Sequence, residues 1–414
     1  MRTLILKGFP ILVILITLIS VQSFLRINFS SLTISWLVDF SIIFIIFLYK
    51  KKLSNKISIF INRVDLNIIT IYFAWVIFNS IRGAFIINNY WELKQLITGI
   101  LSLSLPIFLY PFTNARILNI TLKYWFKYAI ILFIILTPFL MKGAYHLFLA
   151  PLFLISCFLP ILPKKWKIIC VTLLVTMLFI DLSARSQVIK SGIVLLFACG
   201  IYAHRFIPNN VIKIIHGAFY IIPIVLLYLG ISGTFNIFED LSSYQGKYVE
   251  KKVENGEFVE EDLSTDTRTF IYVEVIESAL KHNYVICGRT PARGNDTIFF
   301  EDNDMIKTGK NERFMNETCH TNIFTWLGLI GVVLYSLLYF RASYLSIYKS
   351  NNIYIKFLGL FIAFRWAYGW IEDVNNFNIL GISIWMLIAM GLSNEFRLMN
   401  NKDFKKWLLR CLSY

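Results

Sequence analysis

The sequence predicts an all-α polytopic integral membrane protein with about 12 transmembrane helices, N-in and C-in, and one large, partly helical external loop. Three observations lead there. The 414 residues are 57% hydrophobic and only 16% charged. Mean hydropathy over the whole chain is +0.64. The apolar residues gather in runs close to the roughly 20 residues that cross a bilayer as helix. Soluble domains carry about 25% charged residues, so a cytosolic enzyme, a secreted disulfide scaffold and a disordered protein are excluded.

The runs fall at 8–25, 31–49, 66–88, 95–112, 124–141, 144–163, 168–184, 187–203, 212–233, 322–340, 353–370 and 378–396. The first is longer than a signal-peptide core, lacks a small-residue cleavage site and is followed at once by another run, so it reads as a retained helix. Lys and Arg fix the orientation. With the N-terminus inside, the short inner segments hold 23 basic residues and the short outer loops only Arg26, Lys94, Lys142 and Arg185.

Residues 234–320 break the pattern. This hydrophilic stretch holds 17 of the 25 acidic residues against 10 Lys and Arg, a net of −7, so the rest of the chain stands near +22 and the overall +15 is a sum of opposites. The organisation is therefore 1–233 with helices one to nine, 234–320 as the large loop, and 321–414 with helices ten to twelve and a cytoplasmic tail. Within the loop, 268–281 has apolar residues at helical spacing with Ser264-Thr265-Asp266 as candidate cap. Residues 288–313 have the Gly, Pro, Asn and Asp density of irregular chain. A nucleic-acid protein would gather its cations on one exposed face. Here they punctuate apolar runs, and nucleic acid is not an expected partner.

Cys287 and Cys319 both fall in the external loop, where a bridge or two free thiols are open alternatives. No His/Cys cluster has metal spacing, so neither metal nor cofactor is expected. The ionisable residues at membrane depth are Arg82, Asp181, Arg185, Lys190 and Arg365, followed by Glu372 and Asp373. Each is costly there and a functional candidate. Arg185 reads either as an ion pair with Asp181 or as part of a site; Arg268 as a solvated charge or a ligand; His320 as a hydrogen-bonded structural residue or a base that Glu317 tunes. Taken together, Arg185, Arg268 and His320, with Arg289, Arg293 and Arg365, suit an anionic lipid diphosphate at the outer face. Arginine forks bind phosphate bidentately, and a histidine can accept a hydroxyl proton.

Four motifs in order extend this reading. They are Leu182-Ser183-Ala184-Arg185-Ser186, Arg268 with the helix after it, Gly288-Arg289-Thr290-Pro291, and His320-x-Asn322 leading into Trp326-Leu327-Gly328-Leu329-Ile330-Gly331. The chain resembles the O-antigen ligase and O-antigen polymerase (Wzy-type, WaaL-like) superfamily of bacterial surface-polysaccharide glycosyltransferases. The motifs cover about residues 168–340. One departure is that Phe270, Ile271 and Tyr272 stand where the family places a Trp after the loop arginine.

The resemblance implies a GT-C-like, metal-independent, inverting glycosyltransferase of the bacterial inner membrane. Its donor would be an undecaprenyl-diphosphate-linked oligosaccharide, and its active site would face the periplasm. Arg185 and Arg268 would hold the diphosphate and His320 would activate the acceptor. Arg289, Arg293, Glu317, Asn322 and Arg365 are further substrate-binding candidates. The Asn- and Asp-rich loop favours a polymerase, which extends another lipid-linked repeat unit, alongside a chain-length regulator. A ligase, with lipid A core or protein as acceptor, shares donor and mechanism. A lipid-linked oligosaccharide flippase is the reading of another class.

Overall fold

A computed structural model describes residues 4–25, 31–53, 57–179, 185–232, 249–254, 257–262, 269–297 and 309–413. Each of the twelve apolar runs carries helix. The principal helices are α1 (Phe9–Val21), α2 (Leu32–Leu53), α3 (Arg63–Ala84), α4 (Tyr90–Ser104), α5 (Ala115–Leu136), α6 (Lys164–Phe179), α7 (Arg185–Tyr202), α8 (Asn209–Ile231), α9 (Thr269–Lys281), α10 (Cys319–Tyr348), α11 (Ile353–Tyr368), α12 (Ile379–Leu392) and α13 (Asn401–Leu412). Asparagine starts many of them. The side chains of Asn89, Asn114, Asn352, Asn378 and Asn400 each accept a backbone N–H of the first turn, which satisfies donors the helix leaves open.

The chain is a predominantly helical membrane protein with almost no sheet. Among the described residues, seven helical stretches are long and apolar enough to cross a bilayer: Leu6–Phe24, Leu32–Lys52, Arg63–Ala84, Tyr90–Phe112, Ala115–Phe139, Asn209–Gly230 and Cys319–Tyr348. The other five expected spans are shorter or interrupted. The run 144–163 is divided into Tyr145–Phe148 and Ala150–Ser156, with Pro151 and Pro160 removing the backbone donors a continuous helix needs. α8 turns Ile214, Ile221 and Tyr228 outward, as a face surrounded by lipid would. The tail is ordered as α13, whose Trp407 donates to Ala115 O at 2.8 Å and whose apolar face packs on α5.

The large loop holds short strands beside its helix. β1 (Val249–Glu254) pairs antiparallel with β2 (Glu257–Asp262), and β3 (Asn295–Asp296) with β4 (Glu312–Arg313), strands that periodicity did not predict. α9 follows the expected amphipathic segment, burying Ile271, Val275 and Ala279 on one face.

The feature that positions the site is a break in α10. Gly328 has φ 68° and ψ −169° inside this 30-residue helix, a backbone conformation open essentially to glycine. The chain leaving α9 enters the gap. Arg289 N donates to Thr325 O (2.7 Å), Leu329 N to Val285 O (2.9 Å) and Ile330 N to Ile286 O (3.4 Å), so groups freed by the break are paired. Trp75 of α3 donates to Leu327 O at 2.9 Å. Arg82 donates to Cys287 O and Gly288 O at 3.2 and 3.4 Å. Gly328 lies about 13 Å along α10 from its start. Irregular backbone at such depth persists only where protein satisfies it, and Arg82 serves that purpose.

Candidate functional site

The turn that ends α11, residues 366–372, is where three parts of the chain meet. His320, in the first turn of α10, places Nε2 3.1 Å from Trp366 O. A carbonyl only accepts, so in the neutral ring Nε2 carries the proton and Nδ1 keeps its lone pair. Nδ1 is buried with no hydrogen-bond partner among the described residues, and the residue is 2% exposed. The imidazole lies between Trp366 and Trp370, with ring centroids at 5.3 and 4.3 Å. Cys319 N donates to Gly369 O at 3.0 Å, which ties the start of α10 to the same turn.

α9 reaches this turn through Tyr272, whose hydroxyl donates to Trp370 O and whose ring stacks on Trp370 at 6.3 Å. α7 reaches it through Lys190, which pairs with Glu372 at 2.5 Å. The first residue of α7 is Arg185, five positions before Lys190 and so about 7.5 Å away along the axis. Arg268 lies outside the described residues, immediately before Thr269, where α9 begins. α7, which begins at Arg185, α9, and α10, which carries His320, thus converge on one short segment.

Arg365, one residue before Trp366, is 4% exposed. Its Nε and Nη2 are buried without a hydrogen-bond partner among the described residues, and its guanidinium stands 5.5 Å from the Tyr368 ring. Asp373 follows in the next loop and accepts from Asn375 N and Asn376 Nδ2, both at 3.0 Å. Burial pushes its carboxyl up to about 6 despite those donors.

The remaining predicted residues are engaged elsewhere. Arg293 Nε donates to Glu312 Oε2 at 2.7 Å. Arg289 bridges Asp296 (2.9 Å) and Glu312 (3.1 Å). These two arginines brace the loop between α9 and α10. Asp296 sits at the hub of that brace; burial would raise its carboxyl, but hydrogen bonds from Lys281, His282 and Arg289 outweigh this and hold it at about 2. Glu317 is half exposed and pairs with Arg313 at 3.5 Å, while the ring nitrogen of His320 bonds Trp366 instead. Asn322 closes the 316–322 turn, accepting from Asn316 N (2.6 Å) and donating to Asn316 O (2.9 Å). Cys287 and Cys319 are free thiols.

Sequence reasoning missed Trp366, Trp370 and Tyr272. The only signal was the aromatic density of Phe364–Trp370 beside the intramembrane Arg365, which hydropathy reads as ordinary span. No protein-family model, curated protein or solved structure matches the chain.

Proposed function

We propose that the chain is a glycosyltransferase of the bacterial inner membrane that polymerises surface polysaccharide. It transfers an undecaprenyl-diphosphate-linked oligosaccharide onto a hydroxyl of another lipid-linked repeat unit. The observation that carries this reading is the His320 imidazole. It is buried, oriented by Trp366 O, and has a bare Nδ1 with no hydrogen-bond partner among the described residues. A positioned imidazole with a free lone pair is a general base. In the proposed step the acceptor hydroxyl gives its proton to His320 Nδ1 as its oxygen bonds the anomeric carbon. The bond from that carbon to the diphosphate oxygen breaks, and the anomeric configuration inverts. Arg185 and Arg268 hold the leaving diphosphate, since guanidinium forks stabilise charge that develops on phosphate oxygen.

The finer topology belongs to the same proposal: twelve crossings, both termini in the cytoplasm and the 366–372 turn at the periplasmic face. The divided run 144–163 and the shorter helices α6, α7, α11 and α12 complete the count within the bundle. The test is the glycan profile of a strain lacking the gene. A single repeat unit on the lipid A anchor is the expected result. Full-length chains retained on the polyprenol would instead identify a ligase. An accumulation of repeat units on the cytoplasmic side would identify a flippase.

A further inference from the structure

Lys190, Arg365 and Glu372 form a buried group of two cations and one carboxylate whose charges do not cancel. Lys190 and Arg365 are each 4% exposed. Lys190 Nζ holds Glu372 Oε1 at 2.5 Å. By contrast, Arg365 Nε and Nη2 and Glu372 Oε2 are buried with no hydrogen-bond partner among the described residues. A guanidinium keeps its charge at any physiological pH, and a buried charge without a partner is strongly unfavourable. Nε and Nη2 form one edge of the guanidinium, the edge that takes two oxygens of one anion.

Arg365 and Lys190 line the same cavity, which is walled otherwise by apolar side chains such as Phe153, Leu154 and Leu387 and by Ser383. Its volume of about 20 Å³ holds one water molecule and no larger group. Anything larger must displace a side chain; Glu372 does not line the cavity but holds Lys190, which does, and an anion that reaches Lys190 takes the place of that carboxylate. The Glu372 side chain is 21% exposed while that of Lys190 is 3%. A carboxylate ligand would spend both oxygens on the arginine edge, whereas a phosphoryl group has a third for Lys190.

The geometry points to a phosphoryl site inside the helix bundle: Arg365 and Lys190 take one phosphoryl group of the lipid diphosphate that Arg185 and Arg268 hold in the proposed step, and Glu372 is the internal counter-ion that it displaces. The identity of the lipid rests on the proposed function; the anion site does not. Glu372 neutralises Lys190 while the site is empty and returns to solvent when the lipid arrives, so entry of the anion and release of the carboxylate are one exchange.

The experiment is a thermal-shift titration of the purified full-length protein in detergent with geranylgeranyl diphosphate, geranylgeraniol and inorganic pyrophosphate. The diphosphate lipid should raise the wild-type midpoint and the alcohol should not. Arg365→Gln should raise the half-saturating concentration about tenfold, the scale of one charge-assisted hydrogen bond. Glu372→Gln should lower it by removing the competing carboxylate. Because Lys190→Met leaves Glu372 buried alone, it is paired with Glu372→Gln, and this double variant should lose the response. His320→Ala should keep the response in full, so failure of the transfer chemistry and failure of the anion site are told apart. A wild type that does not respond, an unchanged half-saturating concentration in Arg365→Gln, or weaker binding in Glu372→Gln overturns the site. Equal protection by pyrophosphate overturns its assignment to a lipid.

Discussion

A methyl group built on Gly288 would fall 2.5 Å from the backbone nitrogen of Gly328. These two residues, forty positions apart, let the loop backbone enter the break in α10 and so fix the register between α9 and His320. Both have positive φ, 75° and 68°. The close approach and the backbone conformation each demand glycine.

Gly328→Ala would set its methyl 2.2 Å from Ile286 O and also strain the backbone. The expected loss is on the order of 3 kcal/mol or more, read as a lowered thermal midpoint of the purified protein. Gly217→Ala, in α8 with open space around it, should leave the midpoint unchanged or slightly raised.

Arg82 is bound to the loop carbonyls of Cys287 and Gly288 and to Asn79 Oδ1 at 2.6 Å. Arg82→Met leaves those carbonyls unpaired at membrane depth, at about 1–3 kcal/mol for each group left without a partner. Hydrogen exchange should show amides 284–289 opening in this variant. If they stay protected while the protein still folds, the guanidinium is not what holds the segment.

The brace at Asp296 sets a pH dependence. Its carboxyl is held at about 2, below the ordinary 3.8. A depressed folded-state value stabilises the charged form, so its contribution is complete above the unfolded value. It is lost as pH falls from about 4 through about 2. Hydrogen exchange of residues 269–297 in the wild type should accelerate over that window. Asp296→Asn should exchange faster at neutral pH and show a flatter profile between pH 4 and 2.

The two loop cysteines are predicted to differ in access. Cys287 is partly exposed and Cys319 buried. A membrane-impermeant maleimide should label the wild type, and Cys287→Ser should abolish labelling from the outer face. Retained labelling that requires Cys319 would show that the start of α10 is open.

The helices were legible because a chain that crosses a bilayer must bury its own backbone groups, and twelve apolar runs each produced helix. The break at Gly328 was not, since Trp326-Leu327-Gly328-Leu329-Ile330-Gly331 is continuous in hydropathy and only contact with Gly288 makes it necessary. His320 was singled out by its place at the edge of a span, and the structure gives it an oriented ring. Its tuning partner was misread. Glu317 is nearer in sequence, yet the carbonyl of Trp366, 46 positions away, takes the proton-bearing nitrogen. Arg289 and Arg293 look like ligands in sequence because their partners Asp296 and Glu312 are too dispersed to be recognised as a brace. Lys190 and Glu372 are 182 positions apart, and no spacing rule relates them.

The most direct test of the account is transfer by the purified protein in liposomes carrying undecaprenyl-diphosphate-linked repeat units. Wild type should yield a ladder of lengthened glycans. His320→Ala should reduce the rate by about 10²- to 10⁴-fold, the scale of a lost general base, with an unchanged thermal midpoint. A wild type that makes no ladder, or a folded His320→Ala variant that makes one at the wild-type rate, would contradict it.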